Sequence, residues 1–187
     1  MAIYHADNGA GQWRVIDAVF YPTTYKFPFD DIAVLYIKKP FIFSRTIGAI
    51  PIATQDTNYY GQCLVSGYGA IGPNNQRSKI LILADLDIMS KAMCTMMHRR
   101  IMDSYVCTSS KLTDVAKGDS GGPLVCKNTG DPYDKGEGVL VGIVCGNRER
   151  VGSFFTRVSS YRGFMESHWT FPPPSLDKGY YKDYVQE

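Results

Sequence analysis

Six consecutive residues, Gly118-Asp119-Ser120-Gly121-Gly122-Pro123, have the composition of a reactive hydroxyl set in a glycine-built turn. At average residue usage this string arises by chance about once in 10⁷ windows. An acyl-transfer serine must project its hydroxyl outward while backbone N–H groups converge where the carbonyl oxygen becomes an anion, and that demands a tight turn. Glycine permits the turn because it reaches positive φ without a Cβ clash. The plainer reading is a Gly/Ser surface turn ahead of a strand.

The elements around this turn read as short strands. Apolar segments separated by Gly, Pro, Asn and Asp recur along the chain, the pattern of an antiparallel β protein and not of alternating βαβ units. Strands are expected at residues 12–21, 31–37, 62–66, 79–88, 123–127, 139–144 and 153–158. In the fourth of these Ile82, Ala84, Leu86 and Ile88 alternate with Leu83, Asp85 and Asp87, so its second half has one solvated face. Ser90 can cap a short helix whose Met93, Met96 and Met97 form an apolar stripe suited to core packing. A second helix is expected from about Ser160 to Trp169. Beyond it Pro172-Pro173-Pro174 and a polar, Tyr-rich end read as an extended tail.

At 187 residues, 44% hydrophobic and 20% charged, the chain can bury a real core. A net charge of +2 gives no reason to expect nucleic-acid or membrane partners. No apolar run approaches the ~18–20 residues of a membrane span. Met1 to Asp7 lacks the basic region and apolar core of a signal peptide. The five cysteines nevertheless suit an oxidising, extracellular setting; five reduced, buried cysteines are the alternative on composition alone. No His/Cys/carboxylate group has metal-ligand spacing, so neither metal nor other cofactor is expected.

Gly118 to Pro123 resembles the nucleophile motif of the chymotrypsin/trypsin family of serine proteases. Asp31-Ile32-Ala33-Val34-Leu35 is similar to the segment carrying that family's triad aspartate, and Cys63-Leu64-Val65-Ser66-Gly67-Tyr68-Gly69 to the strand opening its second barrel. Val141 to Val144 and Thr156 to Val158 resemble strands lining the substrate pocket, and Tyr161 to Trp169 the closing helix. The likeness runs over roughly residues 1 to 170. It implies an all-β, chymotrypsin-like double β-barrel with a C-terminal helix and a truncated first barrel. The implied organisation is a remnant of the first barrel at 1–50, a second barrel with nucleophile and pocket at 51–158, a closing helix at 159–170 and a tail at 171–187. It also implies disulfides Cys63–Cys126 and Cys94–Cys107, with Cys145 unpaired and either a buried small hydrophobe or an intermolecular thiol.

By the same resemblance Ser120 is the nucleophile, Gly118 and Ser120 supply the oxyanion N–H groups, and Asp31 orients a histidine. Asp119 is the structural carboxylate that normally pairs with a new amino terminus, for which this chain has no matching segment, leaving it without an evident partner. Asp114, six residues before Ser120, falls where the trypsin branch places the acid that selects Lys or Arg, with Cys145, Gly146 and Ser153 around the substrate. Ala116 stands in place of a usual cysteine, Cys145-Gly146-Asn147 replaces a Ser-Trp-Gly wall, and Ser153 sits near a usual glycine. The last points to a narrower pocket; the first two favour the plainer reading of Asp114 as an exposed loop aspartate.

The histidine is missing from the pattern. The family places it roughly 45 residues before the aspartate, in an Ala-x-His-Cys segment; His5 precedes Asp31 by 26 among unrelated neighbours. Met1 to Asp7 resembles the strand after that histidine. His98, beside Arg99 and Arg100, reads as solvated surface, and His168 as part of the closing helix. Two functions follow. One is a trypsin-like endopeptidase acting on protein or peptide, recorded without its front end and not competent as written. The other is a noncatalytic protease homologue, a binding or regulatory module for another protease or an inhibitor. An α/β-hydrolase elbow, with Ser120, Asp131 or Asp134, and His168 in order, lacks the strand-before, helix-after context.

Overall fold

A computed structural model describes residues 2–4 in backbone, and 11–54, 59–72, 74–109 and 113–169 in full. The tail expected from residue 171 and His5 lie outside the described residues. Twelve strands run in the order β1 (Ala2–Tyr4), β2 (Gln12–Arg14), β3 (Ala18–Phe20), β4 (Val34–Tyr36), β5 (Gln62–Gly67), β6 (Ala70–Ile71), β7 (Gln76–Arg77), β8 (Ile82–Asp87), β9 (Tyr105–Cys107), β10 (Pro123–Cys126), β11 (Val139–Arg148) and β12 (Gly152–Arg157). Helix α1 (Lys91–His98) separates β8 from β9, and a 3-10 turn at Val158–Tyr161 leads into α2 (Arg162–Glu166).

Six of these strands form one antiparallel sheet in the order β8-β5-β10-β11-β12-β9. Its inner face carries β-branched, aromatic and leucine residues, the first two kinds well suited to a half-buried pleated surface: Val65, Leu86, Val106, Leu124, Val141 and Phe155 are all buried in one cluster. Cys63 lies directly opposite Cys126 in the β5–β10 register, with Cα atoms 4.4 Å apart, and the two are disulfide-bonded. A second disulfide ties Cys94 of α1 to Cys107 of β9. Of the fourth expected strand, Leu86 is buried while Asp85 and Asp87 face solvent.

The region before residue 50 is built differently. Its strands β1–β4 have three residues each and, among the described residues, pair as β1-β2 and β3-β4. The single strand expected at 12–21 is two, broken where Asp17 turns its N–H to the Tyr36 carbonyl (2.8 Å) and its carboxylate to the Lys38 N–H (2.5 Å). Val15, Phe27, Ile42 and Phe43 stand 73, 61, 71 and 65% exposed here.

Helix α1 starts as expected, with Ser90 Oγ accepting the Met93 N–H at 3.2 Å. Its buried side is a correction to the sequence reading. Met93 and Met96 are 44% and 63% exposed, whereas Cys94 and His98, one turn apart on the same face, are buried. The disulfide pins the Cys94 side inward and carries the methionines outward. His98 is therefore core and not surface, packed edge-on against Phe154 with centroids 5.5 Å apart.

Candidate active site

Ser120 is exposed at the tip of a turn whose backbone is fixed on both sides. Gly122 N–H donates to Asp119 O at 2.8 Å, and Gly121 N–H and Val144 N–H exchange bonds with Val144 O and Gly122 O at 2.9 and 2.8 Å. Gly118 takes φ +103°, a conformation open to glycine. Among the described residues the N–H groups of Gly118 and Ser120 make no hydrogen bond.

Asp119 does have partners, contrary to the sequence reading. Its Oδ1 accepts the Gly69 N–H at 2.7 Å and its Oδ2 the Ala116 N–H at 2.9 Å. The carboxylate lies in a notch between Gly67 and Gly69, where a Cβ on either would overlap it. The Cys63 to Gly69 segment thus holds the Ser120 turn by a charge-assisted backbone bond from Gly69.

Asp31 reaches the same region from the opposite side. Its carbonyl accepts from Thr156 Oγ1 at 2.8 Å. Its neighbours are tied down as well, Tyr161 Oη donating to Asp30 Oδ1 at 2.8 Å and Tyr105 Oη to Pro28 O at 2.7 Å. Cys145, free and buried, contacts Pro28 O through Sγ at 3.6 Å. It occupies the bulge in β11 between Val144 and Gly146. Burial, and then the Asp31 carboxylate beside it, push the Cys145 thiol up to about 12. Burial likewise raises Tyr105 to about 12, and Tyr161 is raised by burial and by its bond to Asp30.

Two recesses meet at Ser120. One, of about 560 Å³, is lined by Asp31 and Ser120 together with Tyr21, Tyr25, Leu35 and Val144. Among the described residues no histidine lines it. His98 is in the core, and His168 Nδ1 lies 2.9 Å from Ser167 Oγ and 2.8 Å from Phe164 O, its ring tilted against Phe20 and Phe164. The other recess, of about 350 Å³, is lined by Ser120, Val115, Lys117, Gly146 and Asn147 among others.

The Trypsin family model matches residues 3–165. The chain belongs to the trypsin family. Transmembrane protease serine 11G of Rattus norvegicus is 31% identical to it over 146 residues, covering 74% of this chain and 34% of that protein. Chymotrypsin-2 of Vespa crabro is 31% identical over 144 residues, covering 74% and 62%. Kallikrein 1-related peptidase b3 of Mus musculus is 27% identical over 147 residues, covering 73% and 52%. The chain therefore spans between about a third and three fifths of these relatives. The solved structure of neuropsin, a serine protease expressed in the limbic system of mouse brain, superposes with TM-score 0.73 at 22% identity, covering 86% of this chain and 73% of that one. That likeness establishes the chymotrypsin-like fold.

Within this trypsin-family frame Asp114 is half-buried and heavily engaged. Ser153 Oγ and the Val115 N–H (3.0 Å) donate to its Oδ1, and Asn147 Nδ2 donates to its Oδ2 at 3.1 Å. Asn147 also donates to Val115 O at 3.1 Å. Burial raises the Asp114 carboxyl above its usual range, against the opposing pull of the Ser153 and Val115 bonds. Gly146 faces the ring of Phe154, which a Cβ there would meet.

Among the described residues one group of potential metal donors lies together: a Cys94, His98 and Cys107 atom each within 4.8 Å of the others. Its two sulfurs are bonded to each other. No helix among the described residues is long and apolar enough to cross a membrane. The tyrosine and threonine anchors of the Pro28–Asp31 turn leave no local signal in the residue order. Their donors and acceptors lie up to 131 residues apart, and only the general rule that buried hydroxyls find partners could have suggested them.

Proposed function

We propose that this chain is the larger part of a trypsin-like serine endopeptidase, a secreted protein that hydrolyses peptide bonds through an acyl-enzyme. The observation that carries it is that Asp31 and Ser120 line one recess, with no histidine among the described residues that line it. A histidine from a segment outside this sequence enters that recess in the complete enzyme. Its imidazole takes the Ser120 Oγ proton as the hydroxyl attacks the substrate carbonyl, then returns it to the leaving amine. Asp31 holds the ring in the required tautomer, and the Gly118 and Ser120 N–H groups meet the oxyanion. Water then attacks the acyl-enzyme by the reverse of the same steps.

Asp114, Cys145, Gly146 and Ser153 form the floor and wall beside the bound side chain, and Asp119 keeps the turn in shape. Residues 1–50 are the part of a first barrel that the missing segment completes, which accounts for the apolar side chains standing exposed there. Residues 51–158 make the second barrel, and 159–170 close the molecule. The disulfides suit secretion.

Without the histidine the 187-residue polypeptide turns over at roughly 10⁶-fold below a complete site. The coding sequence immediately upstream tests this reading: an Ala-x-His-Cys segment in frame is the expected result, and a frame without one contradicts it. The second reading, a noncatalytic homologue that binds another protease or an inhibitor, draws on the replaced pocket wall and the capped Asp114. A full-length protein that binds such a partner yet never forms an acyl-enzyme is its signature.

A further inference from the structure

We infer that the recess between Ser120 and Asn147 rejects lysine and arginine side chains and takes one bearing an oxygen acceptor, a carboxylate above all. The inference rests on Ser120 being the nucleophile, so that this recess receives the residue whose carbonyl is attacked.

Asp114 is the acid that would attract a cation, and its oxygens are already in use. One accepts from the Ser153 hydroxyl and the Val115 N–H, the other from the Asn147 amide. Ser153 is fully buried, and Asn147 is held from a second side by Val115 O. Asp114 does not line the recess, whereas Asn147 does. An incoming guanidinium or ammonium would have to displace the Asn147 amide from both acceptors and bury its charge against a carboxyl that burial already biases toward the neutral form.

What the recess presents to a ligand is different. Its one formally charged lining side chain is Lys117, and the Asn147 carboxamide beside it has both amide N–H groups engaged by Asp114 and Val115 O. The Lys117 ammonium is thus the side-chain donor offered to an acceptor on the ligand, and no carboxylate lines the recess to face a cation. Because Lys117 is exposed, its preference for an anion is modest, about fivefold. The exclusion of cations by the Asn147 cap is the larger effect.

Binding, which needs no histidine, tests this on the chain itself. Capped tripeptides Ac-Ala-Ala-Glu-NH2 and Ac-Ala-Ala-Lys-NH2 are titrated calorimetrically, and 4-aminobenzamidine by fluorescence. The Glu peptide should bind about fivefold tighter than the Lys peptide, and Lys117→Glu should reverse the order. Benzamidine should bind at least tenfold tighter to Asn147→Gly/Ser153→Gly than to the unaltered chain. Asn147→Ala gives a milder gain if the double variant does not fold. Equal benzamidine affinity before and after uncapping, a preference for the Lys peptide, or binding of neither peptide overturns the inference. Ser120 chemistry is read separately, by phosphonate labelling of the upstream-extended protein, so a failure here leaves that reading standing.

Discussion

Cys145 is the residue whose setting departs furthest from an ordinary side chain of its kind. It sits in a β bulge, 4% exposed, between Pro28 O and the carboxylate of Asp31. A thiol pushed up to about 12 stays protonated across the neutral range, and the thiolate is the reactive form. At pH 8 the native chain should therefore react with iodoacetamide at least 10³-fold more slowly than the chain unfolded in guanidinium, where an ordinary thiol pKa of about 8.5 returns. Equal rates in the two states would remove Cys145 from the buried side of Asp31. Among the candidate site residues, Ser120 and Asp31 stood out in the sequence because each sits in a short run of distinctive neighbours, and Asp114 only by lying six residues before Ser120. The caps on Asp114 did not, since Asn147 and Ser153 reach it from 33 and 39 residues away.

At the scale of elements, the loop after β5 and helix α1 each carry a test. Gly67 and Gly69 leave room for Asp119, whose carboxylate takes both Gly69 and Ala116 N–H groups. Gly69→Ala forces that carboxylate out of its notch, and should lower unfolding stability by about 1–3 kcal/mol in urea titrations. An unchanged midpoint would mean that the notch does not hold the Ser120 turn. In α1, His98 is buried with its Nε2 lacking a partner among the described residues. Its pKa is lowered from 6.5 by burial first, then by Arg100 and Arg148. The folded state thus binds this proton less well than the unfolded chain does. The linked stability is complete above pH 6.5 and is lost as pH falls through that value toward the folded pKa. Thermal scans should show Tm falling between pH 7 and 5, and less so in His98→Phe; identical pH profiles would contradict the burial of His98. The register of these elements explains what the sequence concealed. The apolar period of α1 favours Met93 and Met96 as the inner face, but a disulfide fixes rotation more strongly than periodicity does, so Cys94 and His98 go inward. Strand β9 escaped notice because three buried residues, Tyr105 to Cys107, are too few to show any alternation.

For the whole molecule, the two halves differ in how much they bury. The six-stranded sheet and its glycine-rich turn were readable because strand alternation, cysteines and the nucleophile motif all point to one arrangement. The region before residue 50 was not, because three-residue strands with exposed Val15, Phe27, Ile42 and Phe43 satisfy no local rule and depend on distant anchors such as Tyr105 and Tyr161. Those anchors nonetheless bring Asp31 to the recess that Ser120 lines, which is the geometry a proton-shuttling imidazole would complete. The rate at which a fluorophosphonate labels Ser120 tests that directly. In the 187-residue chain labelling should be as slow as at an ordinary exposed serine, and should rise by roughly 10⁴-fold or more when the proposed histidine-bearing upstream segment is added. Rapid labelling of the chain alone, or no gain on extension, would contradict the account.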